Sequence, residues 1–321
     1  MGLEELKLED LVPEKFVDEQ VAEMKAAVGD GVVINALSGG VDSSVTTLIG
    51  HRALGAKLRT CFIENSLMRE GEPEYIVGVF EKLGVEVELV DAREEFLGAL
   101  KGLSDPEEKR EAITQTFYKG VFGRMVKESG SRFLLQGTNF TDVEETVAGV
   151  KRQHNILEQL GIDTEEVFGY KVLEPILTLR KPAVRKVGEY LGLPEEIFNR
   201  PPFPGPALAA RIVGEVTAER LDLVRKATWI VEEELKDSGA FQYLAVLHED
   251  MVTGVREMKR DYGKQIEVRC WESTDAVTAT PTRLSWDKLE TLARRISTEV
   301  PGIVSVTYNI TNKPPSTIEV V

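Results

Sequence analysis

Seven consecutive residues, Ser38-Gly39-Gly40-Val41-Asp42-Ser43-Ser44, combine three hydroxyls, two adjacent glycines and one carboxylate. Glycines let backbone N–H groups approach an anion without a Cβ in the way. The hydroxyls add donors, and Asp42 offers an oxygen ligand to Mg2+. This is chemistry for a polyphosphate. No Lys follows the glycines, so the segment is not the GxxxxGK(S/T) loop, and transfer of a γ-phosphoryl group is not the natural expectation. A plainer reading also fits: Gly-Gly makes a turn, and Asp42 or Ser43 caps a helix. The setting between a strand and a helix favours the phosphate reading.

The elements around the heptapeptide supply that setting. Residues 14–28 carry Phe16, Val17, Val21, Met24 and Val28 at helical spacings. The run Val32 to Leu37 is rich in β-branched residues and bounded by Gly31 and Ser38-Gly39-Gly40, as a buried strand would be. Strand-like 58–63, 85–90 and 133–136 then alternate with helical stretches near 72–83 and 106–128, and another helix near 180–191 follows residues 171–175. That alternation predicts an α/β fold with a doubly wound parallel sheet over residues 1–199. Ligands of such sheets bind at the carboxyl ends of strands, where helix N-termini favour anions. The segment 200–206 holds four of the 14 prolines and cannot sustain a helix or a central strand, so it reads as an ordered hinge. Beyond it, helices near 217–236 and 285–299 and strands near 243–247, 265–271 and 303–310 predict a smaller α+β domain over 200–321.

Composition sets limits on function. The 321 residues carry 39 Lys+Arg against 54 Asp+Glu, a net charge of −15. Repulsion on that scale opposes general nucleic-acid binding. Cys61 and Cys270 are too few and too far apart for a disulfide framework or a Cys-rich zinc site. The first residues lack a signal-peptide pattern and no apolar run reaches membrane-spanning length, so a cytoplasmic protein without a membrane partner is expected.

SGGVDSS resembles the signature of the ATP pyrophosphatases, and the remaining motifs resemble, in order, the synthetase part of GMP synthase. Glu64-Asn65-Ser66-Leu67-Met68-Arg69-Glu70-Gly71-Glu72 is similar to DNGLMRKGE, and residues 102–110, GLSDPEEKR, to GVTDPEEKR. Gln136-Gly137-Thr138 opens QGTxYPD. Residues 203–212, FPGPALAARI, are close to FPGPGLAIRI, and Lys313-Pro314-Pro315-Ser316-Thr317-Ile318-Glu319 to KPPATIE. Lys151-Arg152-Gln153-His154-Asn155 resembles a mobile lid, IKSHHN, and the segment around Lys181 resembles LFKDEVR.

The resemblance implies attack by O2 of XMP on the α-phosphorus of ATP, then displacement of AMP by ammonia. It implies ATP contacts from Ser38, Gly39, Gly40, Val41, Asp42, Ser43, Ser44, Gly137 and Thr138, with Mg2+ on Asp42. Asp42, Lys151, His154 and Lys181 would serve catalysis. Arg69, Arg200, Arg211, Arg256, Lys313, Thr317, Ile318 and Glu319 would serve the acceptor nucleotide. Only 37 residues precede Ser38 and neither Cys lies in a Gly-x-Cys-x-Gly elbow. A separate glutamine amidotransferase subunit supplying ammonia is therefore implied, as is a homodimer formed by the C-terminal module. Departures cluster near the acceptor: Phe140-Thr141-Asp142 stands for Tyr-Pro-Asp, Gln153 for the first lid His, Arg256-Glu257-Met258 for Lys-Gly-Asp, and Val320-Val321 for Trp-Glu. A paralogue that adenylylates another carbonyl acceptor is the alternative. A tRNA-thiolating enzyme would need reactive cysteines and a basic face.

Overall fold

The computed structural model describes residues 3–147, 170–199, 203–256, 258–274 and 277–320. The chain forms two compact units. The first takes Met1–Ile63, Pro73–Asp91 and Lys119–Arg200, and the second Glu64–Glu72, Ala92–Tyr118 and Pro201–Val321.

In the first unit, β1 (Val33–Ala36), β2 (Leu58–Glu64), β3 (Val87–Asp91), β4 (Phe133–Leu135) and β5 (Lys171–Leu173) form one sheet in the order β3-β2-β1-β4-β5. β1 pairs parallel with both β2 and β4, and β4 parallel with β5. The short, mostly apolar character of β1 has its reason in this central place: Val33, Ile34 and Asn35 are all buried. The chain winds outward from β1 through β2 and β3, then returns to its other side for β4 and β5. Crossovers running in both directions place helices on both faces, which is the doubly wound α/β class the alternation predicts. The direction reverses between β1 and β4, so their carboxyl ends mark the crevice where such sheets bind ligands.

The helix Val41–Leu54 follows β1 and is buried along most of its length, from Ser44 to Gly50 and again at Ala53 and Leu54. It packs against the helices Pro13–Val28 and Lys181–Tyr190. Pro13–Val28 buries Phe16, Val17, Met24 and Val28, four of the five apolar positions that predict it. The long helical stretch expected at 106–128 is interrupted: Pro106–Gln115 and Gly123–Ser129 flank a π-helical turn at Thr116–Phe122.

In the second unit, β6 (Gln242–Arg256) and β7 (Lys259–Glu272) make a long antiparallel hairpin. β8 (Thr280–Pro281) joins β7 antiparallel and β9 (Ile303–Tyr308) joins it parallel. The helices Ala218–Leu235 and Trp286–Glu299 start at Thr217 and Ser285, whose side chains accept from the N–H of Arg220 and Lys288 as good N-caps do. Leu244, Val246, Trp271, Ala279 and Ile318 form one core cluster, with Val320 packed against it, so Ile318 and Val320 anchor to the sheet.

Candidate active site

The heptapeptide leaves β1 by a backbone hydrogen bond from Leu37 N–H to the Cys61 carbonyl, 2.8 Å. Gly39 has φ +76°, a left-handed conformation that disfavours any other residue. Gly40 is the N-cap of Val41–Leu54, with no side chain capping it among the described residues. Neither Asp42 nor Ser43 takes that role. Ser43 Oγ instead donates to the Gly40 carbonyl at 3.1 Å, accepts from Ser38 N–H at 3.2 Å, and lies 2.9 Å from Ser38 Oγ. The hydroxyls therefore brace the loop, and the first N–H groups of the helix, with the positive end of its dipole, stay open to an anion.

The loop after β4 seals this arrangement. A Cβ on Gly137 would stand 3.0 Å from the Asp42 carbonyl carbon and 3.1 Å from Ser43 N, so only glycine lets the two backbones meet. Thr138 and Asn139 are fully buried. Gln136 Nε2 donates to Thr138 Oγ1 at 3.0 Å, and Asn139 and Asp142 exchange N–H to side-chain bonds at 3.1 Å each.

Asp42 sits where these loops converge. Asn139 Nδ2 donates to its Oδ2 at 3.3 Å, and Lys181 Nζ approaches the same oxygen at 3.9 Å. Oδ1 is buried and has no partner among the described residues. Burial pushes the carboxyl up to about 6, assisted by Asp142, while Lys181, Asn139 and Arg185 pull the other way. Lys181 begins the helix Lys181–Tyr190, with Pro182 in its first turn as that position favours. Arg185 lies one helical turn further on, with its Nε buried and unpartnered among the described residues. The motifs did not single out Arg185, four residues after Lys181, or Asn139, directly after Gln136-Gly137-Thr138.

A second cluster of charged and aromatic side chains lies within the second unit. Phe203 has the Arg69 guanidinium 3.8 Å from its ring centroid and that of Arg211 at 4.8 Å. Arg69 Nε donates to Glu232 at 2.7 Å, with Glu72 at 3.6 Å from Nη1. Arg211 is 1 % exposed, and its Nε and Nη2 donate to the two oxygens of Glu319 at 3.3 Å each. Nη1 of Arg211 is buried without a partner among the described residues. Gln242 Nε2 also donates to Glu319, at 2.8 Å. Thr317 Oγ1 donates to the Glu319 carbonyl, and Ile318 anchors the tail in the core cluster. Lys313 pairs through its backbone with Ala279, a member of that same cluster.

Arg256 stands apart. Gln242, beside Glu319, begins β6 and Arg256 ends it 14 residues later, about 45 Å along an extended strand. There Arg256 donates to the Ile303 carbonyl at 2.7 Å and pairs with Asp261 at 3.1 Å. Within one copy of the chain it does not join Arg211 and Glu319. Lys151, His154 and Arg200 lie outside the described residues.

The comparisons with known proteins agree with these motifs. Residues 230–320 match the family model described as GMP synthase C terminal domain. A glutamine-hydrolyzing GMP synthase subunit from Archaeoglobus fulgidus is 47 % identical over 95 % of this chain and 98 % of its own length. The corresponding subunit from Methanothermobacter thermautotrophicus is 44 % identical over 96 % of this chain and 99 % of its own. The glutamine-hydrolyzing GMP synthase from Aeropyrum pernix is 44 % identical over 96 % of this chain, which spans 60 % of that longer protein. Near full-length identity at this level, with the SGGVDSS loop and the C-terminal tail both in place, shows that the chain belongs to the GMP synthase family, as a synthetase subunit of these GMP-forming ligases.

Proposed function

We propose that this chain activates XMP with ATP and aminates it with ammonia. O2 of XMP attacks the α-phosphorus of ATP, an O–P bond forms, and pyrophosphate leaves. Ammonia then adds at C2, AMP departs with the former O2, and a proton is released. The observation that carries this reading is the uncapped helix N-terminus at Gly40, pressed against Gly137 at the reversal point of the sheet. It offers backbone N–H groups to a pyrophosphate without the lysine a kinase-type loop would use.

ATP use follows from membership of the family; the residue roles are our assignment. Ser38–Ser44 hold the leaving pyrophosphate, Gly137 and Thr138 support the rest of the nucleotide, and Lys181 and Arg185 neutralise charge as the α–β bond breaks. Such chemistry rests on placement and charge. Lys151 and His154 are assigned to the same task from the sequence alone. Asp42 suits Mg2+, because its buried Oδ1 has acceptor capacity to spare. No cluster of three or more His, Cys, Asp or Glu side chains suited to a metal occurs among the described residues, so such an ion would take its other ligands from phosphate oxygens and waters. When bound, it supplies neutralisation of the pyrophosphate charge.

Arg69, Arg211, Lys313, Thr317, Ile318 and Glu319 are assigned to XMP, as is Arg200 from the sequence. Arg256 joins them only if a second copy supplies it, which suits a homodimer built on the C-terminal domain of residues 200–321. Met251, Val255 and Tyr262 on the outer half of the hairpin expose apolar surface for that contact. Ammonia is assigned to a separate glutamine amidotransferase partner, in keeping with the naming of the full-length relatives as subunits of a glutamine-hydrolyzing enzyme. Two free, buried cysteines suit the reducing cytoplasm, and no helix among the described residues is long and apolar enough to cross a membrane. Nothing observed favours a different acceptor.

XMP labelled with 18O at O2 tests the reaction path. The label should appear in AMP and not in pyrophosphate; label retained in neither product, or found in pyrophosphate, would contradict adenylylation at O2.

A further inference from the structure

Three cations of the second unit are aimed at backbone carbonyls beside the residues assigned to XMP. Arg225 donates to the carbonyls of Ser66 at 2.6 Å and Met68 at 3.1 Å, just before Arg69. Lys109, 1 % exposed, donates to the Ile212 carbonyl at 2.8 Å, just after Arg211. Arg269 donates from Nη1 to the carbonyls of Thr317 at 2.9 Å and Ile318 at 3.3 Å, just before Glu319.

Arg269 has the most complete bracing. It is 6 % exposed, and its Nε donates to Glu267 Oε1 at 2.6 Å. Glu267 is fixed in turn by Asn309 Nδ2 on the same oxygen at 2.8 Å and by His248 Nε2 on the other at 2.7 Å. Residues 267 and 269 share one face of β7, a strand paired on both sides, so the guanidinium starts from a rigid base. The tail it holds is irregular: Thr317–Glu319 has no strand or helix of its own. Charge-assisted bonds from a buried, pre-ordered arginine are what would keep such a segment in one conformation before ligand arrives. Glu319 is thereby delivered to Arg211 and Gln242.

We infer that Arg269, braced by Glu267, is a positioning residue for the acceptor nucleotide, acting through the Thr317–Glu319 tail. The inference rests on the assignment of XMP to that tail. The test is steady-state kinetics on the full chain with ammonium as nitrogen source, for Arg269→Met, Arg269→Lys, Glu319→Ala and the double variant R269M/E319A. Arg269→Met should raise the KM for XMP about tenfold, with the KM for ATP moving less than about twofold; a lysine, keeping charge but not the fork, should fall between. In the double variant Arg269→Met should add less than about twofold to the effect of Glu319→Ala, because both act on one segment.

If Arg269→Met does not fold cooperatively, Glu267→Gln provides the same readout, with a KM increase for XMP of about threefold expected. Equal losses in kcat and in both KM values, or full additivity with Glu319→Ala, would show a merely structural arginine and overturn the inference. So would an unchanged XMP KM in Arg269→Met or the folded fallback while Glu319→Ala raises it. An unchanged KM in Glu319→Ala itself would instead sink the XMP assignment, and the inference with it.

Discussion

Asp42 is held in the folded chain at an electrostatic cost. Its carboxyl titrates at about 6 instead of 3.8 because burial disfavours the anion. Below the ordinary value the group is neutral in both states and costs nothing. As pH rises through that value the unfolded chain ionises first, so the penalty grows and is complete above about 6, at roughly 2–3 kcal/mol. Asp42→Asn should therefore gain about 1–2 kcal/mol of stability at pH 8, with the gap narrowing toward pH 4 in urea titrations, while pyrophosphate release is lost. Glu267 works in the opposite sense. Hydrogen bonds from His248, Arg269 and Asn309 outweigh its burial and hold it at about 2, so its contribution is present above 4.5 and is lost as pH falls through about 2. Glu267→Gln should cost about 2–3 kcal/mol at pH 7, and the difference from the parent chain should shrink below pH 4 in the same titrations.

The element that matters most for the SGGVDSS loop is the β4 loop behind it. Gly137→Ala would force a Cβ into the Asp42 and Ser43 backbone. The helix N-terminus must then shift, costing about 1–3 kcal/mol and lowering kcat/KM for ATP by at least about tenfold, measurable by thermal melts and pyrophosphate release. This close approach was legible in part: the SGGVDSS loop, its strand and its helix could all be read from pattern. The family resemblance implied only that Gly137 and Thr138 contact ATP; that Gly137 presses against that loop was not legible, since no local spacing links residues 42 and 137. The outer hairpin was not legible. Only 243–247 and 265–271 read as strands, because from Glu249 to Arg256 no position is buried and the apolar residues Met251, Val252 and Val255 do not fall at every second position. Arg185, Asn139, Lys109 and Arg269 escaped notice for a related reason. Arg185 and Asn139 act on Asp42, Lys109 on Ile212, and Arg269 on Thr317 and Ile318, targets that lie 48 or more residues away and that only the tertiary fold brings near.

At the scale of the whole molecule, a net charge of −15 coexists with a few cations placed where two small anions are expected. Arg69 and Arg211 are neutralised by Glu72, Glu232 and Glu319, and Lys181 faces Asp42, so each of these three described cations has a carboxylate beside it. Such an arrangement should give no measurable retention on nucleic-acid columns at roughly 50–150 mM salt, the range in which phosphate contacts are strongly felt. It should still bind nucleotides, because partly enclosed pairs are screened far less than exposed charges. One chain is proposed to couple ATP cleavage at the α–β bond to amination of XMP. The most direct measurement is product stoichiometry with purified chain, ATP, Mg2+, XMP and ammonium, with no amidotransferase added. AMP, pyrophosphate and GMP should form in equal amounts, with none of them formed when XMP is omitted; formation of ADP and orthophosphate, or pyrophosphate release that does not depend on XMP, would contradict the account.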